Sequence, residues 1–295
     1  MIKIGIIGSQ SMHAKEFAKS CNVPHENGTF LIPDCRITAI CGIDDSPEHT
    51  AEIARLGQIS QIVGQPEELF DLCDAVMVTT RNGDNHVAYA LPFLRHGYPV
   101  FLDKPVCVSK EDIALLEQEV QERDCILVGG SGMQHNRSLK ELKTLLDGGE
   151  VGAVKGISLN HNGDIDSPYG GIFFYVCHGV EMMLQLLGKE AESVQTAVLD
   201  HGNFSIFVKY KEQFANLIMT CGYQDYFVNV YGEKKNMTYR MDPSDIFRET
   251  MLYFAKQIRE HVITRSVDDL VRHVRILQAV EKSMQYKTEI QIENR

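Results

Sequence analysis

The chain has no run of Lys and Arg with interleaved aromatics, and its formal net charge is −11. An acidic surface of that kind repels nucleic acid and anionic lipid. Nowhere is there an apolar span of membrane length. Residues 1–8 are apolar but lack the long hydrophobic stretch and small-residue cleavage site of a secretory signal. The eight cysteines (21, 35, 41, 73, 107, 125, 177 and 221) include no C-x-x-C pair, so neither a disulfide framework nor a thiolate zinc site is indicated. There is no internal repeat and no low-complexity segment. Together these absences predict a soluble, cytoplasmic protein with core cysteines and a small-molecule partner, and no nucleic-acid or membrane partner.

What is present is alternation. At 295 residues the chain has the length of about two domains. Apolar strands at 2–8, 36–44, 75–80, 100–103 and 126–130 alternate with helical patterns that begin near Ala14, Pro47, His86 and Ser109. A βα series of this kind predicts an α/β fold with a doubly wound parallel sheet of Rossmann type. Near Gly130 the rhythm changes. A helix at 137–147, a strand at 153–161 and a helix at 171–187 are followed by strands at 193–200, 203–210, 214–221, 226–232 and 236–241. Helices at 244–261 and 267–285 close the chain. The division expected is a dinucleotide-binding domain at 1–129 and a second α/β domain at 130–295 with a mostly antiparallel, open sheet. In that sheet Phe204, Ile206, Val208 and Tyr210 share one face of a strand, and Ala215, Leu217, Met219 and Cys221 form an apolar set on the next. An apolar set around Leu217 and Met219 predicts a homo-oligomer, dimer or tetramer, built through this sheet.

Three places carry chemistry. The turn "GIIGSQSMHA" has Gly8 where a dinucleotide fingerprint begins, but Gln10 and His13 stand where its second and third glycines belong. Taken alone it reads equally as an ordinary βα turn. Asp44 favours the nucleotide reading, since a carboxylate ending the second strand can accept both ribose hydroxyls, and no Arg or Lys follows to receive a 2′-phosphate. NAD is therefore expected over NADP. The strand "YPVFLDKPV" ends in Asp103, Lys104 and Pro105 at the edge where open α/β sheets bind ligands. A lysine desolvated there can pass a proton, although a surface lysine at a strand end is the commoner arrangement.

The stretch "VMVTTRNGDNHVAYALPFLRHGYPVFLDKP" (76–105) resembles the Gfo/Idh/MocA family of nicotinamide-dependent oxidoreductases. The likeness includes "GIDDSPEHTAEIA" (42–54), His86, Gly97, Asp103-Lys104-Pro105 in place of the usual Glu-Lys-Pro, "DGGEVGAVKGI" (147–157), Gly170-Gly171, His178 and "LLG" (186–188). It implies a Rossmann domain followed by an α/β domain whose open sheet builds oligomers. It further implies an NAD-dependent dehydrogenase that moves a hydride between the nicotinamide and a carbinol of a sugar, cyclitol or related polyhydroxylated substrate. Gly8, Ser9, Gln10, His13, Asp44, Thr79, Thr80, Arg81, His86, Asp103 and Lys104 are expected near the cofactor. Lys104 and His178 are the catalytic candidates, with Tyr175 on the same helix face as His178. Asn136, Arg137, His161 and Asp164 are the candidates for substrate contact. The family's D-x-x-x-H is broken here, since Phe174 stands four residues before His178. That departure keeps open an NAD-holding regulatory protein and an NAD-assisted lyase or glycosidase. His161, Asp164, Asp166 and His178 have no distinctive ligand spacing, and no metal is expected.

Overall fold

The computed structural model of the chain describes residues 1–43, 45–200, 202–222 and 225–293. It divides into two units: Met1–Gly130 with Phe247–Leu270, and Ser131–Ile246 with Val271–Arg295. The first contains β1 (Ile2–Ile7), α1 (Met12–Asn22), β2 (Cys35–Cys41), α2 (Pro47–Leu56), β3 (Gln61–Val63), β4 (Ala75–Val78), α3 (His86–Arg95), β5 (Val100–Leu102), α4 (Lys110–Glu122) and β6 (Leu127–Gly129). All six strands run parallel in the order β3-β2-β1-β4-β5-β6, which is the doubly wound Rossmann order. The sheet needs a crossover at each step, and the helices supply it. β3 is too short and too polar to be read as a strand from its pattern, and β2 stops at Cys41 rather than at residue 44.

The second unit contains α5 (Arg137–Asp147), β7 (Val154–Asn162), α6 (Ile172–Leu187), β8 (Ser193–Asp200), β9 (Asn203–Lys209), β10 (Phe214–Thr220), β11 (Tyr226–Gly232) and β12 (Asn236–Met241). Then come α7 (Ile246–Arg259), α8 (Asp268–Tyr286) and β13 (Ile290–Gln291). The second sheet has the order β12-β11-β7-β10-β9-β8-β13, antiparallel except for the central β7–β10 pair. Twelve of the sixteen residues of α6 are buried, as befits a helix that is apolar all round.

Two expectations need correction. The helix α7, expected in the second domain, lies almost wholly in the first unit. Its stripe of Phe247, Met251, Phe254, Ala255 and Ile258 recurs at helical spacing and joins the Rossmann core beside Ile4, Phe17 and Phe101. Phe101 and Phe254 are tilted rings 5.7 Å apart, and Arg259 grips the Asp34 carboxylate with two bonds of 2.9 Å. Phase is the second point. Leu217 and Met219 are fully buried, paired across the strands with Ile206 and Phe204 on the face turned to the core. The apolar groups left on the other face are Phe207 (44 % exposed), Ile218 (40 %) and Phe227 (36 %). There Phe207, Phe214 and Tyr231 form a row of near-parallel rings spaced 5.9 and 5.8 Å apart, over Gly156, where a Cβ would meet the Phe214 ring at 2.5 Å.

Candidate active site

In the first unit the register aligns Ile7 with Val78 and Val78 with Leu102, so the residues just beyond these strands share one edge of the sheet. This edge lies where the strand order reverses between β1 and β4, the usual ligand position in such sheets. Gly8, Ser9, Thr79, Thr80, Asp103 and Lys104 all follow the strand ends there. Gly8 has φ +100°, and a Cβ on it would stand 2.5 Å from the backbone nitrogen of Thr80. Only glycine fits, for space and for backbone conformation. The Thr79 hydroxyl donates to the Gly8 carbonyl (2.8 Å), tying the turn to β4.

Ser11 caps α1 by accepting from the His13 amide (3.2 Å). No acidic residue stands in the first turn of α1, whereas α2 and α4 begin with Glu48 and with Glu111 and Asp112. A close backbone turn followed by a helix start free of opposing charge fits the diphosphate of a dinucleotide. His13, at the place of the third fingerprint glycine, instead turns its Nδ1 to Asp103 Oδ2 at 2.7 Å. Asp103 is 2 % exposed. Burial would raise its carboxyl, but His13 and Lys104 outweigh that and hold it below the usual carboxylate range. Lys104 is itself only 4 % exposed, so this is no surface lysine.

Ser9 is buried, with its hydroxyl 3.0 Å from Asp45 Oδ2 and 2.8 Å from Thr50 Oγ1. Asp45 also takes the Ser46 amide (2.8 Å) and the His49 ring nitrogen. Asp44, the expected ribose partner, lies outside the described residues. His86 is fully buried with Nε2 2.8 Å from the Thr80 carbonyl. A carbonyl only accepts, so Nε2 carries the proton; burial pushes the ring well below ordinary histidine, and it stands as a neutral prop for the Thr79–Thr80 segment. The Thr80 hydroxyl in turn donates to Asn85 Oδ1 (3.2 Å). Gln10 and Arg81 are partly exposed in this same edge region.

The second unit has its own polar cluster. His178, 9 % exposed on α6, has its Nδ1 2.5 Å from the Ser131 hydroxyl. The Ser131 amide donates to Glu181 Oε2 (2.8 Å), and Glu181 Oε1 is 3.1 Å from His273 Nδ1 on α8. The register places His161 beside Met219, on the core face of β7. Its ring lies 5.0 Å from that of His178 and stacks on Tyr226 at 4.5 Å. Phe174 is buried between Tyr169 (5.1 Å) and Tyr175 (4.7 Å), so the usual carboxylate position of the helix is filled by an aromatic group.

The other candidates have local work. Asn136 is fully buried and caps α5, accepting from the Leu139 amide (3.1 Å) while its Nδ2 donates to the Asp242 carbonyl (2.5 Å) and to Asp245 Oδ1 (2.8 Å). Arg137 pairs with Asp245 at 3.4 Å. Asp164 closes its own turn by accepting from the Asp166 amide (3.0 Å). Neither Ser131 nor Glu181 was singled out for the site from sequence. The signal for Glu181 was a carboxylate within an apolar helix three residues beyond His178; Ser131 gave none, being 47 positions distant. Among the described residues no cluster of three or more His, Cys, Asp or Glu could hold a metal, and no helix is long and apolar enough to cross a membrane.

Residues 2–131 match the model of an oxidoreductase family with an NAD-binding Rossmann fold. Among named relatives, inositol 2-dehydrogenase from Burkholderia lata is 26 % identical over 201 residues, covering 66 % of this chain and 57 % of that one. Myo-inositol 2-dehydrogenase from Thermotoga maritima is 23 % identical over 179 residues, or 58 % and 53 % of the two chains. The matched segment thus spans little more than half the length of these relatives. In overall fold the chain is similar to scyllo-inositol dehydrogenase from Lactobacillus casei with bound NAD(H) and scyllo-inositol (TM-score 0.82, 15 % identity, 99 % of each chain). It is also similar to myo-inositol dehydrogenase from the same organism in complex with NAD(H) and myo-inositol (TM-score 0.79, 19 % identity, 99 % and 97 %).

Proposed function

Residues 2–131 belong to the Gfo/Idh/MocA oxidoreductase family, and from that premise we propose that the chain is an NAD-dependent dehydrogenase acting on a carbinol of a cyclitol or similar polyhydroxylated substrate. The observation that carries the reading is the burial of Lys104 and Asp103 together at the ligand edge of the Rossmann sheet. A lysine buried beside a carboxylate at such an edge is placed where it can exchange a proton with a bound substrate. The catalytic, cofactor-binding and substrate roles assigned to individual residues are part of the same proposal.

Bound NAD supplies a two-electron acceptor for the carbinol carbon. Gly8 and the start of α1 hold its diphosphate, and Asp44 its ribose, which disfavours the extra phosphate of NADP. Lys104, as the neutral amine, takes the hydroxyl proton in oxidation and, as the ammonium, returns it in reduction. Asp103, anchored by His13, fixes the direction of the strand end that carries it. His178 holds the carbinol oxygen, and His161 and Tyr175 are assigned to the substrate's remaining hydroxyls. Asn136, Arg137 and Asp164 serve substrate binding less directly, through the loops they brace.

The row of exposed Phe207 with half-buried Phe214 and Tyr231, together with exposed Ile218 and Phe227, supports a homodimer or homotetramer joined through that sheet face. All eight cysteines are free thiols, seven of them buried, which suits a reducing compartment such as the cytoplasm. The test is NADH formation with a panel of inositols, sugars and hydroxy acids, with NAD and NADP compared. Reduction of NAD by a cyclitol supports the reading. Substrate turnover without net NADH would replace it with an NAD-assisted elimination, and NAD binding with no turnover would replace it with a regulatory protein.

A further inference from the structure

The Ser131 hydroxyl is buried, and its hydrogen bonds can be accounted for in full. As the cap of the short turn at Gly132–His135, its oxygen accepts from the Met133 amide at 3.1 Å. Its amide is spent on Glu181, and its carbonyl accepts from the Gln134 amide. Among the described residues, His178 Nδ1 at 2.5 Å is the acceptor within reach of the hydroxyl proton. Were Nδ1 itself protonated, two protons would face each other across that contact, or the serine proton would point into a buried space without an acceptor. Stranding a buried donor in this way is unfavourable. The orientation in which Ser131 donates and Nδ1 accepts leaves the Ser131 hydroxyl satisfied both as donor and as acceptor.

We propose that Ser131 fixes His178 as the neutral tautomer protonated on Nε2, so that His178 offers the substrate oxygen a hydrogen-bond donor and does not take its proton. This rests on the dehydrogenase reading and divides its labour: the proton belongs to Lys104, and His178 only orients. It also explains how the chain does without a carboxylate at position 174. A carboxylate partner would accept from Nδ1–H and leave Nε2 as a base, whereas a serine donor reverses the ring. Ser131 is a positioning residue in this account. Glu181 holds its backbone, with His273 behind it, and His161 packs beside the ring from the sheet with Tyr226 stacked on it in turn.

The experiment is long-range proton–nitrogen correlation NMR on the full-length protein labelled with ¹⁵N-histidine, read at neutral pH without cofactor or substrate. His178→Gln identifies the signals by their loss. The expected result is an unprotonated, acceptor-type Nδ1 and a protonated Nε2 on His178. Ser131→Ala should convert this to a mixture of tautomers and lower kcat roughly ten-fold, the worth of one ordinary hydrogen bond, and Ser131→Thr, which keeps the hydroxyl, should restore the single tautomer. A proton on Nδ1 in the wild-type protein overturns the proposal, as does an unchanged tautomer in a folded Ser131→Ala variant. If Ser131→Ala does not fold, the wild-type spectrum and Ser131→Thr still decide. Because the spectrum needs no turnover, a failure of the dehydrogenase reading shows separately, as absence of NADH formation with a normal His178 spectrum.

Discussion

The two units solve the same problem, a polar group held in an apolar setting, by opposite means. At the end of β5 the Asp103 carboxylate is buried as an ion and paired with a histidine, and its ionised form is favoured over the neutral one despite burial. On α6 a histidine is held by a neutral hydroxyl, whose geometry sets where its proton sits. Charge fixes the first and hydrogen-bond accounting fixes the second. The difference teaches which losses should be severe: a buried ion left alone is penalised far more than a rearranged neutral hydrogen bond.

The sharpest way to break this contrast is His13→Ala. It leaves Asp103 buried with only Lys104 to offset its charge, and the expected loss is about 3 kcal/mol, read as a fall in the denaturant midpoint of unfolding. The sign of its pH dependence follows from the depressed Asp103 pKa. The stabilisation is complete above the unfolded carboxylate value near ~4 and disappears as pH falls through the lower folded value. Wild type and variant should therefore differ at neutral pH and converge on acidification. Equal stability at neutral pH would mean that the pair is not holding the strand end.

Glu181→Gln is the matching probe of the second unit. The amide oxygen can still accept from the Ser131 amide, so the loss should be nearer ~1 kcal/mol, measured by the same unfolding curves. A loss as large as that of His13→Ala would show that the second cluster is governed by charge after all. The smallest effect on protomer stability is expected from Phe207→Lys with Phe227→Lys, since both side chains are substantially exposed. Their effect should appear in light scattering instead, as a shift from oligomer to monomer at micromolar concentration; an unchanged mass removes this face from the interface.

How much of this could be read beforehand follows the same division. The Rossmann half was legible because each βα step carries its pattern locally, and Asp103-Lys104-Pro105 is contiguous. The parallel strands matched the expectation except for β3, which has no apolar pattern to announce it. The antiparallel strands of the second unit were legible from their alternation, but which of the two faces is covered was not, because alternation fixes period and leaves phase open. Leu217 and Met219 were assigned the wrong face for that reason. Helix α7 returned to the first unit through Phe247, Met251 and Phe254, which an amphipathic stripe cannot reveal without its partner. Ser131 and His13 found their partners across 47 and 90 positions, distances at which no local pattern speaks.

The central claim is that Lys104 handles the proton of a carbinol beside bound NAD, and the direct measurement is steady-state NADH formation by Lys104→Met with the cyclitol that the wild-type protein turns over, alongside NAD binding by titration. The account predicts a fall in kcat of at least ~100-fold, the scale of a lost general acid or base, with NAD affinity changed by no more than a few-fold. Near-normal turnover in a folded Lys104→Met variant would contradict it.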